Sequence, residues 1–219
     1  MAEPGRNGSS EPAGEARALR IGVTGHRPAA LVGADLTTLR ARVREVFATA
    51  RAGASAGRLE VISPVAEGAD RLVAREALAA GLPLICPLPF DREAYGADFP
   101  TAGSRADYRA LLLAAARVVE LAGSRAGPET TAAAYAAVGA WLLAHSDVLL
   151  AIWDGAAPRG EGGTGQVVRE ALARCLPVVW IDARPPHAVR VVTTAGDGQV
   201  VHEPLDRLSE RLGARERSR

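Results

Sequence analysis

The stretch Ser146-Asp147-Val148-Leu149-Leu150-Ala151-Ile152-Trp153-Asp154-Gly155, followed shortly by Gly160-Glu161-Gly162-Gly163-Thr164-Gly165-Gln166-Val167-Val168-Arg169-Glu170, decides how this chain is read. Its first half is a continuous aliphatic run, the pattern of a strand buried on both faces. The glycine cluster then predicts a turn, and the residues from Gln166 onward a helix. That order aims backbone N–H groups and the positive end of a helix dipole at one point. Such a point binds anions, phosphate above all. A nucleotide-type ligand is the first expectation.

The same strand, loop and helix order recurs toward the N-terminus. A strand over 19–23 ends in Thr24-Gly25-His26-Arg27-Pro28. Asp35 is a good N-cap for a helix to Arg51, with Leu36, Leu39, Val43, Val46 and Phe47 at helical spacing. A loop over 53–57 leads to a strand over 59–62 and the segment Ser63-Pro64-Val65-Ala66-Glu67-Gly68-Ala69-Asp70. A short helix to Ala80 stops at Gly81, and 82–88 is a fully apolar strand. Further helices are predicted over 91–99, 107–116 and 128–145, with a strand over 118–121. Strands over 148–152 and 177–181 flank the glycine turn and its helix. Runs at 189–192 and 199–201 bracket Gly196-Asp197-Gly198 and predict a hairpin, and a helix over 204–212 closes the chain. Alternating strands and helices imply an α/β fold. It is a doubly wound, mostly parallel sheet in a Rossmann-like three-layer sandwich, with a C-terminal hairpin. In such sheets ligands sit beyond the carboxyl ends of the strands. The loops 24–28, 63–71 and 153–165 are therefore expected to converge.

Composition narrows the chemistry. The chain has 219 residues, 48% hydrophobic and only 4% aromatic, so aliphatic and small side chains must fill the core. It contains no lysine; every basic side chain other than histidine is arginine. This excludes a P-loop lysine, Schiff-base chemistry and a lysine-anchored pyridoxal cofactor. A phosphate must be gripped by amides, guanidinium forks and hydroxyls. A net charge of +1 gives no global field toward nucleic acid or an anionic membrane. Residues 1–18 are polar, read as a disordered leader without a signal-peptide core, and 19–214 as one domain. No apolar run spans a bilayer, so cytoplasmic residence is expected. Cys86 and Cys175 are expected to be buried, unpaired thiols, and no metal or cofactor is implied.

The candidate site residues follow from the loops. Gly162, Gly163 and Gly165 allow a ligand close to the main chain, Thr164 offers a hydroxyl, and Gln166 lies at the helix start. Asp154 before Gly155 either holds a ribose or caps a turn, and Trp153 either stacks on a base or belongs to the core. Gly25 permits a sharp turn after which His26 and Arg27 meet an anion. Glu67, Gly68 and Asp70 sit at a helix start, where the acids either cap the helix or bind a ribose.

With these loops in view, the chain resembles the SLOG superfamily, the Rossmann-like group that contains the Smf/DprA DNA-processing proteins and the Lonely Guy phosphoribohydrolases. The carrying residues are Gly22-Val23-Thr24-Gly25-His26-Arg27, Ser63 through Asp70, and Trp153-Asp154-Gly155 with Gly160 through Gly165. The resemblance covers about residues 19–182 and looks closest to bacterial members of unassigned chemistry, some linked to nucleotide signalling and antiphage defence. It implies recognition of a nucleotide or an ADP-ribose-like derivative, and a homodimer. The Lonely Guy pattern Pro-Gly-Gly-x-Gly-Thr-x-x-Glu is altered. Glu161 replaces the proline, Gln166 stands at the threonine, and Arg169 stands where the glutamate belongs, with Glu170 one residue beyond. One residue is about 100° around a helix. A ligand-binding domain is thus the first expectation, and a nucleotide N-glycosidase using Glu170 or Glu67 the alternative. A scaffold with a vestigial pocket is the third. Near-neutral charge and few aromatics argue against a nucleic-acid partner.

Overall fold

The computed structural model describes residues 17–54, 57–157 and 163–217. The expected leader falls outside the described residues up to position 16. Arg17 and Ala18 already belong to the folded part: Arg17 pairs with Asp147 at 3.2 Å and Ala18 is buried.

Among the described residues, eight strands form one sheet. They are β1 (Leu19–Gly25), β2 (Leu59–Ile62), β3 (Leu84–Leu88), β4 (Arg117–Glu120), β5 (Val148–Trp153), β6 (Val178–Asp182), β7 (Val189–Thr194) and β8 (Val200–Glu203). Their order is β4-β3-β2-β1-β5-β6-β7-β8. The pairs from β4 through β6 are parallel, and β7 and β8 are added antiparallel. The chain winds outward from β1 to β4, then returns to lay β5 on the other side of β1. The winding direction reverses between β1 and β5, the position where doubly wound sheets open a crevice at their carboxyl edge.

The helices are α1 (Leu36–Gly53), α2 (Ala69–Ala79), α3 (Arg92–Gly96), α4 (Ala102–Ala114), α5 (Pro128–His145), α6 (Thr164–Ala173) and α7 (Arg207–Arg217). Side chains alternate across a strand, so β5 feeds two cores. Val148, Leu150 and Ile152 of β5 join the core under α1, α2, α4 and α7. Leu149 and Ala151 join the core under α5 and α6. These are the layers of a Rossmann-like three-layer fold, with the hairpin β7–β8 at one edge.

Local chemistry sets the element ends. Asp35 Oδ1 accepts from the Thr37 and Thr38 N–H groups at 2.9 and 3.3 Å, which starts α1 where the sequence predicts. Pro128 opens α5, and Thr130 Oγ1 accepts from Gly127 N–H at 3.0 Å. α4 begins at Ala102, earlier than the predicted 107, because Thr101 caps it through Ser104 N–H. α6 begins at Thr164, two residues before the expected start at Gln166. Cys86 is buried, as expected, but Cys175 is exposed, a correction to the sequence reading. It follows α6 with φ +52°, in the turn that leads into β6, where local backbone geometry outweighs the usual burial of cysteine. Among the described residues, no helix is long and apolar enough to cross a membrane.

Candidate functional site

The ends of β1, β2 and β5 open into one cavity of about 420 Å³. Thr24, Gly25, His26 and Arg27 form one wall. Pro64, Ala66 and Asp70 form the second, and Trp153, Asp154, Ala156 and Ala157 the third. Gly163, Thr164, Gly165 and Val167 of α6 close it, and Tyr95, Tyr135, Val138 and Leu142 add an aromatic and aliphatic floor.

Close backbone contact holds the walls together. His26 N–H donates to Ile152 O, and Ala69 N–H donates to His26 O, both at 3.0 Å. A Cβ on Gly25 would stand 2.4 Å from Ala69 Cβ and 2.8 Å from Ile152 O. Gly68 has φ +97°, and a Cβ there would stand 2.3 Å from His26 O. Only glycine lets the first loop lie against both its neighbours this tightly.

The charged groups take distinct roles. Asp154 Oδ1 lies 3.0 Å from His26 Nε2, while the Asp154 N–H lies 3.1 Å from the same nitrogen. One ring nitrogen either donates to the carboxylate or accepts from the amide, so the proton on Nε2 decides which bond is made. Burial pushes the Asp154 carboxyl up, but the Ala156 N–H and His26 pull harder, so it sits below its ordinary value. Asp70 is 5% exposed. Burial pushes its carboxyl up to about 7, against the pull of Arg27, the Ala66 N–H and Arg71. Arg27 lies exposed at the rim, and its guanidinium makes no hydrogen bond or ion pair among the described residues. α6 presents its N-terminus to the cavity with no acidic residue in its first turn. The N–H groups of Thr164 and Gly165 precede the helix's own hydrogen-bond ladder. An unengaged guanidinium facing a helix N-terminus across a cavity is an arrangement that holds an anion.

Several expected residues stand outside this lining. Glu67 accepts a hydrogen bond from Ser104 Oγ of α4. Glu170 accepts from Gln166 Nε2 at 2.9 Å and lies 3.9 Å from Arg174, so these three share a face of α6, and none of them is in the cavity lining. Gly68 serves the contact with His26. Gly155 has φ +78° and lies beneath Trp180, where a Cβ would meet the indole at 3.2 Å. Gly162, with Gly160 and Glu161, lies outside the described residues. Trp153 lines the cavity and also belongs to the packed interior, its carbonyl accepting from Trp180 Nε1 at 2.8 Å.

The floor was not foreseen from the motifs. Tyr95 packs edge-on to Phe99 and Tyr108, and Tyr135 packs edge-on to Phe90. All three tyrosines and two of the three phenylalanines of the chain fall between positions 90 and 135. In so aromatic-poor a chain, that bunching was the available signal. Burial pushes the Tyr95 hydroxyl far up, and burial with Asp98 pushes Tyr135 up to about 12, so both stay protonated donors. Among the described residues, no cluster of three or more His, Cys, Asp or Glu side chains is placed to hold a metal ion.

No protein-family model and no curated protein matches the chain. Among solved structures, it is similar to DNA processing protein A from Helicobacter pylori, at 17% identity and a TM-score of 0.45, over 77% of this chain and 67% of that one. It is also similar to DNA processing protein A (DprA) from Streptococcus pneumoniae, at 16% identity and a TM-score of 0.46, over 77% of this chain and 52% of that one. The chain thus spans about half the length of the Streptococcus protein. The Helicobacter protein is described by its single-stranded DNA binding mode. That finding corrects the reading of net charge and scarce aromatics against a nucleic-acid partner. Net charge sums over a whole surface, whereas a strand-binding groove needs only a local set of cations and stacking faces. The likeness to these Smf/DprA proteins is one of fold.

Proposed function

We propose that this chain binds a nucleotide or a nucleotide-derived molecule of the ADP-ribose kind in the cavity between β1, β2 and β5. The observation that carries the reading is the meeting of Arg27 and the Gly163-Thr164-Gly165 helix start in one cavity with two acids and an aromatic floor. The phosphate rests on the Thr164 and Gly165 amides and Arg27. Asp154 and Asp70 are the carboxyl groups that meet the ribose hydroxyls, and Trp153 and Tyr135 are the faces available to a base.

Binding without cleavage is favoured over the N-glycosidase alternative. The N-glycosidase reading assigns stabilisation of the developing oxocarbenium ion to Glu170 or Glu67. The two glutamates that the resemblance offers for this, Glu67 and Glu170, are bonded to Ser104 and Gln166 away from the cavity lining.

The test is thermal unfolding of the chain with ADP-ribose, adenine and guanine mononucleotides, NAD and a short single-stranded oligonucleotide, with chromatography of each mixture. A ligand at about 100 times its Kd adds about 2.7 kcal/mol. For a chain of this size that raises Tm by about 5–10 °C. Such a rise with the small molecule recovered intact supports the proposal. A rise with free base released makes the protein a hydrolase. A rise with the oligonucleotide alone, or with nothing, refutes it.

A further inference from the structure

Resting on the ligand site above, we propose that the anionic ligand enters the cavity together with one proton, and that Asp70 holds it. Asp70 and Asp147 are the buried acids among the described residues, and of the two Asp70 lines the cavity. Its surroundings are unequal in what they can give up. From its own helix, Arg71 is committed: Nε donates to Val65 O at 3.0 Å, and Nη1 donates to Ser104 O and Oγ at 2.9 and 2.8 Å. From the second loop, Ala66 N–H donates to the Asp70 carboxylate. From α3, the buried Tyr95 hydroxyl brings no charge. Across the cavity, His26 and Asp154 are occupied with each other. That leaves Arg27, whose positive charge acts on Asp70 but whose guanidinium holds no hydrogen bond or ion pair among the described residues.

An anion that engages Arg27 and the α6 N-terminus changes the field at Asp70 twice over. It neutralises Arg27, and it places a negative charge in the same cavity. Both effects favour the neutral carboxylic acid, and together they raise its proton affinity by about tenfold or more. The free protein is poised for this. With burial pushing its carboxyl up to about 7, Asp70 titrates around neutral pH, where a change in field moves proton. The proton comes from solvent and returns to it on release. The neutral carboxyl then donates a hydrogen bond to the ligand, which a carboxylate cannot do.

The experiment is calorimetric titration of the full chain with ADP-ribose, whose phosphates do not titrate near neutrality, at pH 7 in buffers of different ionisation enthalpy. We expect uptake of a fraction of a proton per ligand, and affinity that falls by up to tenfold per pH unit above about 7. In D70N the uptake disappears and the affinity no longer falls across that range. In R27Q, where Asp70 has already lost its cation, uptake is smaller than in the wild type. ADP-ribose binding with no uptake overturns this inference and leaves the site reading intact. Uptake that persists in D70N also overturns it, since another group then takes the proton. Should D70N fail to fold, wild-type levels of uptake in R27Q overturn the coupling. No binding of ADP-ribose in any buffer overturns the ligand reading itself, and this inference with it.

Discussion

Replacing Asp70 by asparagine is expected to stabilise the free protein, and to do so only above acid pH. The side chain is 5% exposed, so solvent does little to screen it. In the unfolded chain its carboxyl ionises at its ordinary 3.8, whereas in the fold burial pushes it up to about 7. Between those values the folded state binds more protons than the unfolded state, so this group makes stability fall as pH rises. About a unit above 7 the loss is complete. The gap between 3.8 and about 7, at about 1.4 kcal/mol per tenfold, amounts to about 4 kcal/mol. Asparagine keeps the shape and an acceptor for the Ala66 N–H but carries no charge. Asp35, Asp154, Asp182 and Glu203 lie below their ordinary values and give the opposite slope, their stabilisation being lost as pH falls. They are common to both proteins and cancel in the difference. Urea unfolding of wild type and D70N, followed by circular dichroism at pH 4.5, 6 and 8, gives that difference directly. It should grow with pH and level off near 8 at about 4 kcal/mol in favour of D70N. A difference that is flat with pH, or that favours the wild type at pH 8, refutes the placement of a buried, unneutralised acid at this position.

Other perturbations probe other parts of the site. Gly68→Ala forces a Cβ to within 2.3 Å of His26 O at φ +97°. It should cost about 2–3 kcal/mol in urea unfolding; wild-type stability would mean the first two loops do not touch as described. Arg27→Gln removes a charged hydrogen bond from the ligand and should weaken ADP-ribose binding by about 10- to 100-fold in calorimetry. Glu170→Ala, which disturbs only the bonds to Gln166 and Arg174, should change that affinity by no more than about twofold; a larger loss would turn Glu170 toward the ligand. Cys175 is exposed, while Cys86 is buried and its thiol is pushed up to about 12. One thiol per chain should therefore react with a thiol reagent in the native protein and two in urea, counted by mass spectrometry.

Where the sequence carried its own local reason for a structure, that structure could be read. The strand over 59–62 and the helix over 128–145 have the predicted bounds. An aliphatic run and a proline at the first helical position are signals that tertiary packing does not override. The meeting of three loop ends was legible for the same reason, since winding rules place every carboxyl end of a parallel sheet on one edge. Side-chain direction was not. Glu67 and Asp70 stand three residues apart beside a helix start and read alike as acids suited to its dipole. The positive φ of Gly68 separates them, so that Glu67 reaches Ser104 on α4 while Asp70 turns into the cavity. Nothing in the composition of that segment says which acid is buried, because burial is set by α3 and α5 folding across the opening from elsewhere in the chain. Tyr95 and Tyr135 arrive with those helices, and their rings help to exclude water from Asp70. The motif loops thus supply the groups that can hold a phosphate. The segments between the motifs supply the low-dielectric floor that makes one of those groups hold a proton.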